Sequence, residues 1–597
     1  MRIDGGFWGE LQERNRHAIL PHITHWLDRT GWLRNFSTSP GRRRGREFSD
    51  SEIYKFLEAL AWELGRSPSA ELQAVFDETV ALVADAQLPD GYLNTRFGRP
   101  GQEPRWSDLE WGHELYCLGH LIQAGVARAR TGHPDDLLVQ VACRAANLVC
   151  DTFGEDGIPS MDGHPVIEPA LVELYRVTGD RRYLEQARLF VERRGHGTLP
   201  DIEFGRAYYQ DDMPVRDATV FRGHAVRAVY LAAGALDLAD ETGDDELLDA
   251  VMRQWRRTVA RRVYVTGGIG SRHQDEAFGE DFVLPPDRAY SETCAGVGSV
   301  MVAWRLLLAS GDPACADLIE RTLYNVIATS PAADGKAFFY ANTLHRREIG
   351  EMPDPDRPNP RPTATVRAPW FEVSCCPTNV ARTMASLSGY VATEDADGIQ
   401  LHQYVSGTVA DRFTVITRYP AEGEIAIRID REIDDPWSLS LRVPEWAGSG
   451  ATLTVGGHTW EVEPGYVTER RRWRAGDEVV LCLPMEPRFT YPDPRVDAVR
   501  GCVAVERGPL VYALESVDVP GVGSVDEVRV DAGHPPVMVD GRVVVRGRRV
   551  SVEESAVPYS ARPYRVVGED LGEIPLVAYH SWANRGPSTM RVWVAAC

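Results

Sequence analysis

The chain has 597 residues, ten cysteines and a formal net charge of −22. That length gives room for two to four domains with large cores, and the acidic balance argues against nucleic acid or an anionic membrane as partner. The opening MRIDGGFWGELQERNR lacks an apolar leader core and no apolar run looks long enough for a bilayer, so the expected compartment is the cytoplasm and the cysteines read as thiols or metal ligands.

Up to about residue 392 the apolar spacing is helical. In 51–64 it falls on Ile53, Phe56, Leu57, Leu60 and Leu64, and in 71–87 on Leu72, Val75, Phe76, Val80 and Val83. Further helices are expected near 9–30, 113–130, 136–152, 165–177, 181–193, 222–241, 245–262, 295–309, 314–328 and 378–391. Four short signatures punctuate them: Thr131-Gly132-His133, Thr178-Gly179-Asp180, Thr242-Gly243-Asp244 and Ser310-Gly311-Asp312. In each, glycine closes one helix and a following residue starts the next. Helices in such hairpins suit a closed toroid of six pairs or an open solenoid. After 392 the period becomes two, through Ile399, Leu401, Phe413, Val415, Ile425, Ile427, Ile429, Leu439, Leu441 and Val443, as in β-sandwiches. The expected division is a helical domain at 1–392 and β-sandwich domains at 393–495 and 496–597.

The chemistry concentrates in two clusters, Glu292-Thr293-Cys294 and Cys375-Cys376-Pro377. Adjacent cysteines bond poorly to each other. Pro377 suits the first position of a helix, placing both thiols in a loop at a helix N-terminus, where anions are favoured. Glu292 and Cys294 would point apart on a helix, so an extended segment is expected there. Three sulfurs and a carboxylate complete a tetrahedral Zn2+ site. A structural knot and a catalytic centre both fit those ligands. The loop GGIGSRHQDEAFGEDF offers Glu276, with Glu280 as the competing carboxylate. His113, His164 and His224 each follow a glycine near a helix start and would converge on one face of a toroid to hydrogen-bond a polyol. Only Lys55 and Lys336 are lysines, a bias read as coding preference.

In order, Gly267-Gly-Ile-Gly-Ser271, Glu276-Ala-Phe278, Glu292-Thr-Cys294, Glu320-Arg-Thr-Leu-Tyr-Asn325 and Cys375-Cys-Pro377 resemble the β-L-arabinofuranosidase family of retaining glycoside hydrolases, family 127. The resemblance implies an (α/α)6 barrel followed by β-sandwich domains, and one zinc held by Glu292, Cys294, Cys375 and Cys376. It implies Cys375 as nucleophile, Glu276 as acid/base, and His113, His164, His224, Glu320 and Tyr340 as sugar-binding residues. The implied partner is a small oligosaccharide or glycoside, with neither nucleic acid nor membrane; a homodimer is allowed. Loops 195–215 and 345–370 depart from the family pattern and leave the sugar open. Two alternatives keep the fold: an unsaturated-uronyl hydrolase or sugar epimerase, neither needing Cys375, and a non-catalytic sugar-binding protein with a structural zinc.

Overall fold

A computed structural model describes every residue except 38–40, 202, 361–365, 553–556, 558, 560 and 562–565, with only the backbone of 552, 566 and 567 described. Part of the 345–370 loop therefore lies outside the described residues. Six inner helices run Asp50–Arg66, Glu114–Arg130, Ile167–Thr178, Ala225–Thr242, Thr293–Ser310 and Cys375–Ala385. Each packs on the next, and the last packs back on the first. The ring is closed, so the open solenoid is excluded. Ala70–Ala86, Leu137–Phe153, Arg181–Arg193, Asp245–Arg262 and Pro313–Thr322 form the outer layer, with Gly6–Arg14 and Leu20–Arg29 beside the last inner helix.

The hairpins have a local cause. Gly179, Gly243 and Gly311 end inner helices in the left-handed region, at φ 75°, 66° and 65°. The next residue, Asp180, Asp244 or Asp312, accepts a backbone N–H in the first turn of the outer helix. Because the unit repeats, the inner helices all begin at one rim of the toroid. Their partial positive charges converge there. The inner helix Thr293–Ser310 is apolar and long enough, at 18 residues, to cross a membrane by composition alone. That corrects the expectation from the sequence; its apolarity serves the inner wall, where it is mostly buried.

The strands follow from Ala392. A seven-stranded sheet, which recruits the N-terminal Arg2–Ile3 against Gly407–Thr408, faces a four-stranded sheet. Phe413 of one stacks on Trp437 of the other at 6.3 Å. A ten-stranded sheet follows, with its own core of Val503, Val505, Val543, Val545 and Ile574. The β modules are bolted to the barrel by buried charge. Glu320 accepts from Arg442 (2.7 Å), the Tyr419 hydroxyl (2.6 Å) and Trp446 Nε1 (3.0 Å). This corrects its expected sugar-binding role: all its partners belong to the β region.

Candidate active site

Five of the six inner-helix starts supply the expected residues. His113 and His224 are the N-caps of their helices, His164 stands three residues before the third, and Glu292 is the N-cap of the fifth. Cys375 and Cys376 are the first two residues of the sixth helix rather than a preceding loop, with Pro377 third instead of first. Cys294 likewise lies in a helix, on its first turn, while Glu292 is extended at ψ 139°. The bend between them lets both side chains reach one point. That is why a two-residue spacing works without an extended run.

The four groups meet. Their ligand atoms all lie within 4.8 Å of one another, and all four residues are buried. Cys294 Sγ is 3.5 Å from Cys376 Sγ, Cys375 Sγ is 3.9 Å from Cys376 Sγ, and Cys375 Sγ is 3.3 Å from Glu292 Oε1. Tetrahedral ligands on zinc would be separated by about 3.8 Å between sulfurs and about 3.6 Å between sulfur and oxygen. Glu292 Oε2 is buried with no hydrogen-bond partner among the described residues, as suits a carboxylate built for a cation. The cluster can hold a metal ion, and three thiolates favour a soft one.

Electrostatics single out one sulfur. Burial pushes Glu292, Cys294 and Cys376 well above their ordinary pKa values. Burial opposes ionisation of Cys375 too, but hydrogen bonds from Cys294 and Cys376, then the charge of Lys55 and the Tyr340 hydroxyl, hold it well below the ordinary thiol range. Four acidic groups this close cannot all ionise without a cation. Cys375 is the thiol whose surroundings pull it toward the thiolate. It also borders the open cavity, whereas Cys376 is wholly buried.

That cavity, of about 440 Å³, is lined by Cys375, Glu276, Glu292, Tyr340, His113, His164 and His224. Tyr340 Oη lies 3.5 Å from Cys375 Sγ. Glu276 takes a left-handed backbone, φ 58°, in a loop stitched to the fourth inner helix by Ala225 N–H to Glu276 O (3.0 Å) and Phe278 N–H to Gly223 O (2.9 Å). His224 Nδ1 accepts the Arg227 backbone N–H at 3.3 Å, which places the proton of the neutral ring on Nε2, 2.9 Å from Glu276 Oε2. Glu276, His224 and Glu292 lie within 4.8 Å of each other. Glu280 is exposed and outside this cavity.

The other two histidines are the reverse tautomer. His113 Nδ1 donates to Trp111 O and His164 Nδ1 to Pro165 O (3.0 Å), so each keeps Nε2 as an acceptor. Burial and then the Arg227 charge lower His113 to about 3 and hold His164 far below its ordinary value. Both are neutral acceptors, suited to sugar hydroxyls.

The description "Beta-L-arabinofuranosidase, GH127 catalytic domain" matches residues 1–389, and the middle and C-terminal domains of the same family match 398–485 and 487–595. The chain belongs to glycoside hydrolase family 127. A "Non-reducing end beta-L-arabinofuranosidase" of Bifidobacterium longum subsp. longum is 36% identical over 595 residues, covering 92% of this chain and 89% of the relative. A family 127 β-L-arabinofuranosidase of Geobacillus stearothermophilus T6 has a solved structure that matches with TM-score 0.89 at 33% identity, covering 100% of both chains. A second family 127 β-arabinofuranosidase structure matches with TM-score 0.87 at 32% identity, over 100% of this chain and 96% of that one.

Around this family 127 site stand residues that sequence reasoning passed over. Lys55 and Glu52 are fully buried and paired at 2.9 Å, and Glu52 Oε2 accepts from Thr378 Oγ1 at 2.5 Å, in the first turn of the cysteine helix. The near-absence of lysine was the available signal: a chain that uses arginine almost everywhere keeps an ammonium group here. Arg227, Trp111, Phe204 and Tyr208 also line the cavity; nothing in their spacing announced it.

Proposed function

We propose that this glycoside hydrolase removes terminal β-L-arabinofuranose, or a closely similar pentofuranose, from a small oligosaccharide or glycoside with retention of configuration. The observation that supports it most is the opening of Cys375 and Glu276 into one cavity, the first inside a complete metal-ligand set. Glu292, Cys294, Cys375 and Cys376 would hold zinc, whose charge, when bound, favours the thiolate form of the cysteines.

The Cys375 thiolate attacks the anomeric carbon as the bond to the leaving oxygen breaks, and Glu276 gives that oxygen its proton. A thioglycoside on Cys375 results. Water then attacks the same carbon, Glu276 takes the water proton, and the carbon–sulfur bond breaks to restore the thiolate. His224 fixes the orientation of Glu276, while His113 and His164 accept hydrogen bonds from the sugar and Tyr340 stands beside the sulfur.

Synthetic pentofuranosides with a good leaving group test the reading, with elemental analysis in parallel. Release from the β-L-arabinofuranoside, about one zinc per chain, and loss of at least about 100-fold in turnover with Glu276→Gln are expected. Full activity in Cys375→Ser would return the chain to the epimerase or uronyl-hydrolase alternatives. Sugar binding without turnover would make the metal structural.

A further inference from the structure

The acid/base marks the side of the sugar from which the leaving group departs, and that side is walled by aromatic rings. The Tyr208 ring lies 5.2 Å from the ring of His224, the partner of Glu276. Phe204 lies 4.8 Å from Tyr208, and Trp111 lies 5.8 Å from Tyr208 and 6.3 Å from Phe204. All three border the cavity. Tyr208 is buried, whereas Trp111 and Phe204 are partly exposed, so the arc runs outward from the acid/base. Phe204 and Tyr208 belong to the 195–215 segment, expected from the sequence to depart from the family pattern.

The arc is held rigidly. Tyr208 O accepts the His224 backbone N–H at 3.2 Å. The Arg227 guanidinium, 2% exposed, stands 4.5 Å from the Tyr208 ring centre and 5.4 Å from that of Trp111. Its Nε and one Nη have no hydrogen-bond partner among the described residues. The ring faces therefore supply its surroundings through cation–π contact, and all three rings border the cavity beside it. Aromatic rings at a cavity wall offer apolar area to the C–H face of a sugar ring at little conformational cost.

We infer that Trp111, Phe204 and Tyr208 form a leaving-group subsite that stacks a second sugar ring, so that specificity lies in the aglycone as well as in the terminal furanose. This rests on the activity proposed above. The test compares kcat/KM of the full chain and of Phe204→Ala and Trp111→Ala on a β-L-arabinofuranosyl disaccharide, its methyl glycoside and its p-nitrophenyl glycoside. Each variant is expected to lose about tenfold on the disaccharide and no more than about twofold on the methyl glycoside, with metal content unchanged in both and the thermal midpoint unchanged in Phe204→Ala. Phe204, on a partly exposed loop, keeps the test available should Trp111→Ala fail to fold. Equal losses on disaccharide and methyl glycoside, or no loss on either, would overturn the subsite. A loss on the p-nitrophenyl glycoside alone would also overturn it, since the arc would then take an aromatic group and not a sugar. An inactive wild-type chain would instead strike the underlying activity.

Discussion

At the residue scale, the site is a problem of placing one anion. Three thiols and a carboxylate share a buried point, and Cys375 is the thiol held below its ordinary range. Thr378 stands in the first turn of its helix. The Thr378 hydroxyl lies within hydrogen-bond reach of Glu52 Oε2 and, at 3.1 Å, of Cys375 O, linking the Cys375 turn to the buried Lys55–Glu52 pair. Thr378→Val should lower kcat about tenfold at nearly constant KM and metal content, and Thr378→Ser should restore it, as expected for the loss of one charge-assisted hydrogen bond of about 1.5 kcal/mol. Unchanged kcat with a lower melting midpoint would reduce the chain to packing. His113 gives a pH signature. Its pKa falls from 6.5 to about 3 on folding, so between those values the unfolded chain binds the extra proton. Stability from this group is full above pH 6.5 and is lost as pH falls below it, by at most about 1.4 kcal/mol per unit. His113→Gln should therefore lose less stability than wild type between pH 7 and pH 5; identical acid sensitivity would contradict the neutral buried ring.

At the element scale, the repeat of inner helix, glycine cap and outer helix does the positioning. It brings every inner-helix start to one rim, where functional side chains sit as caps or first-turn residues. Gly243 has φ 66° and open space around an added Cβ, so Gly243→Ala tests the cap alone. A loss of about 1 kcal/mol in stability with unchanged kcat/KM is expected. Much of this was readable from the residues. Gly179-Asp180, Gly243-Asp244 and Gly311-Asp312 announced the hairpins, and Gly112-His113, Gly163-His164 and Gly223-His224 announced the rim. What the local pattern could not show was closure of the ring, which depends on the last inner helix meeting the first. Nor could it show that the cysteines begin a helix, because Pro377 is as compatible with the third position as with the first.

At the scale of the whole molecule, the β modules are bound to the barrel through side chains that resemble site residues in sequence. Glu320 is the clearest example. Its string resembles the family pattern, yet it is 1% exposed and paired with the fully buried Arg442. Burial of a charge pair far along the chain has no local signature, so its role was hidden until Arg442 was placed beside it. Glu320→Ala should cost about 1–3 kcal/mol, because Arg442 loses one carboxylate and keeps Asp317, while KM stays within about twofold of wild type. A raised KM at unchanged stability would return Glu320 to sugar recognition.

The proposed reaction turns on a carbon–sulfur bond formed at Cys375. The direct measurement is peptide mass spectrometry of the zinc-loaded chain after reaction with an electrophilic arabinofuranosyl analogue, such as a haloacetamide on the furanose frame. One added mass is expected, on Cys375 and on no other cysteine, with loss of activity in step. The same adduct on Cys376 or Cys294, or complete labelling with activity retained, would contradict it.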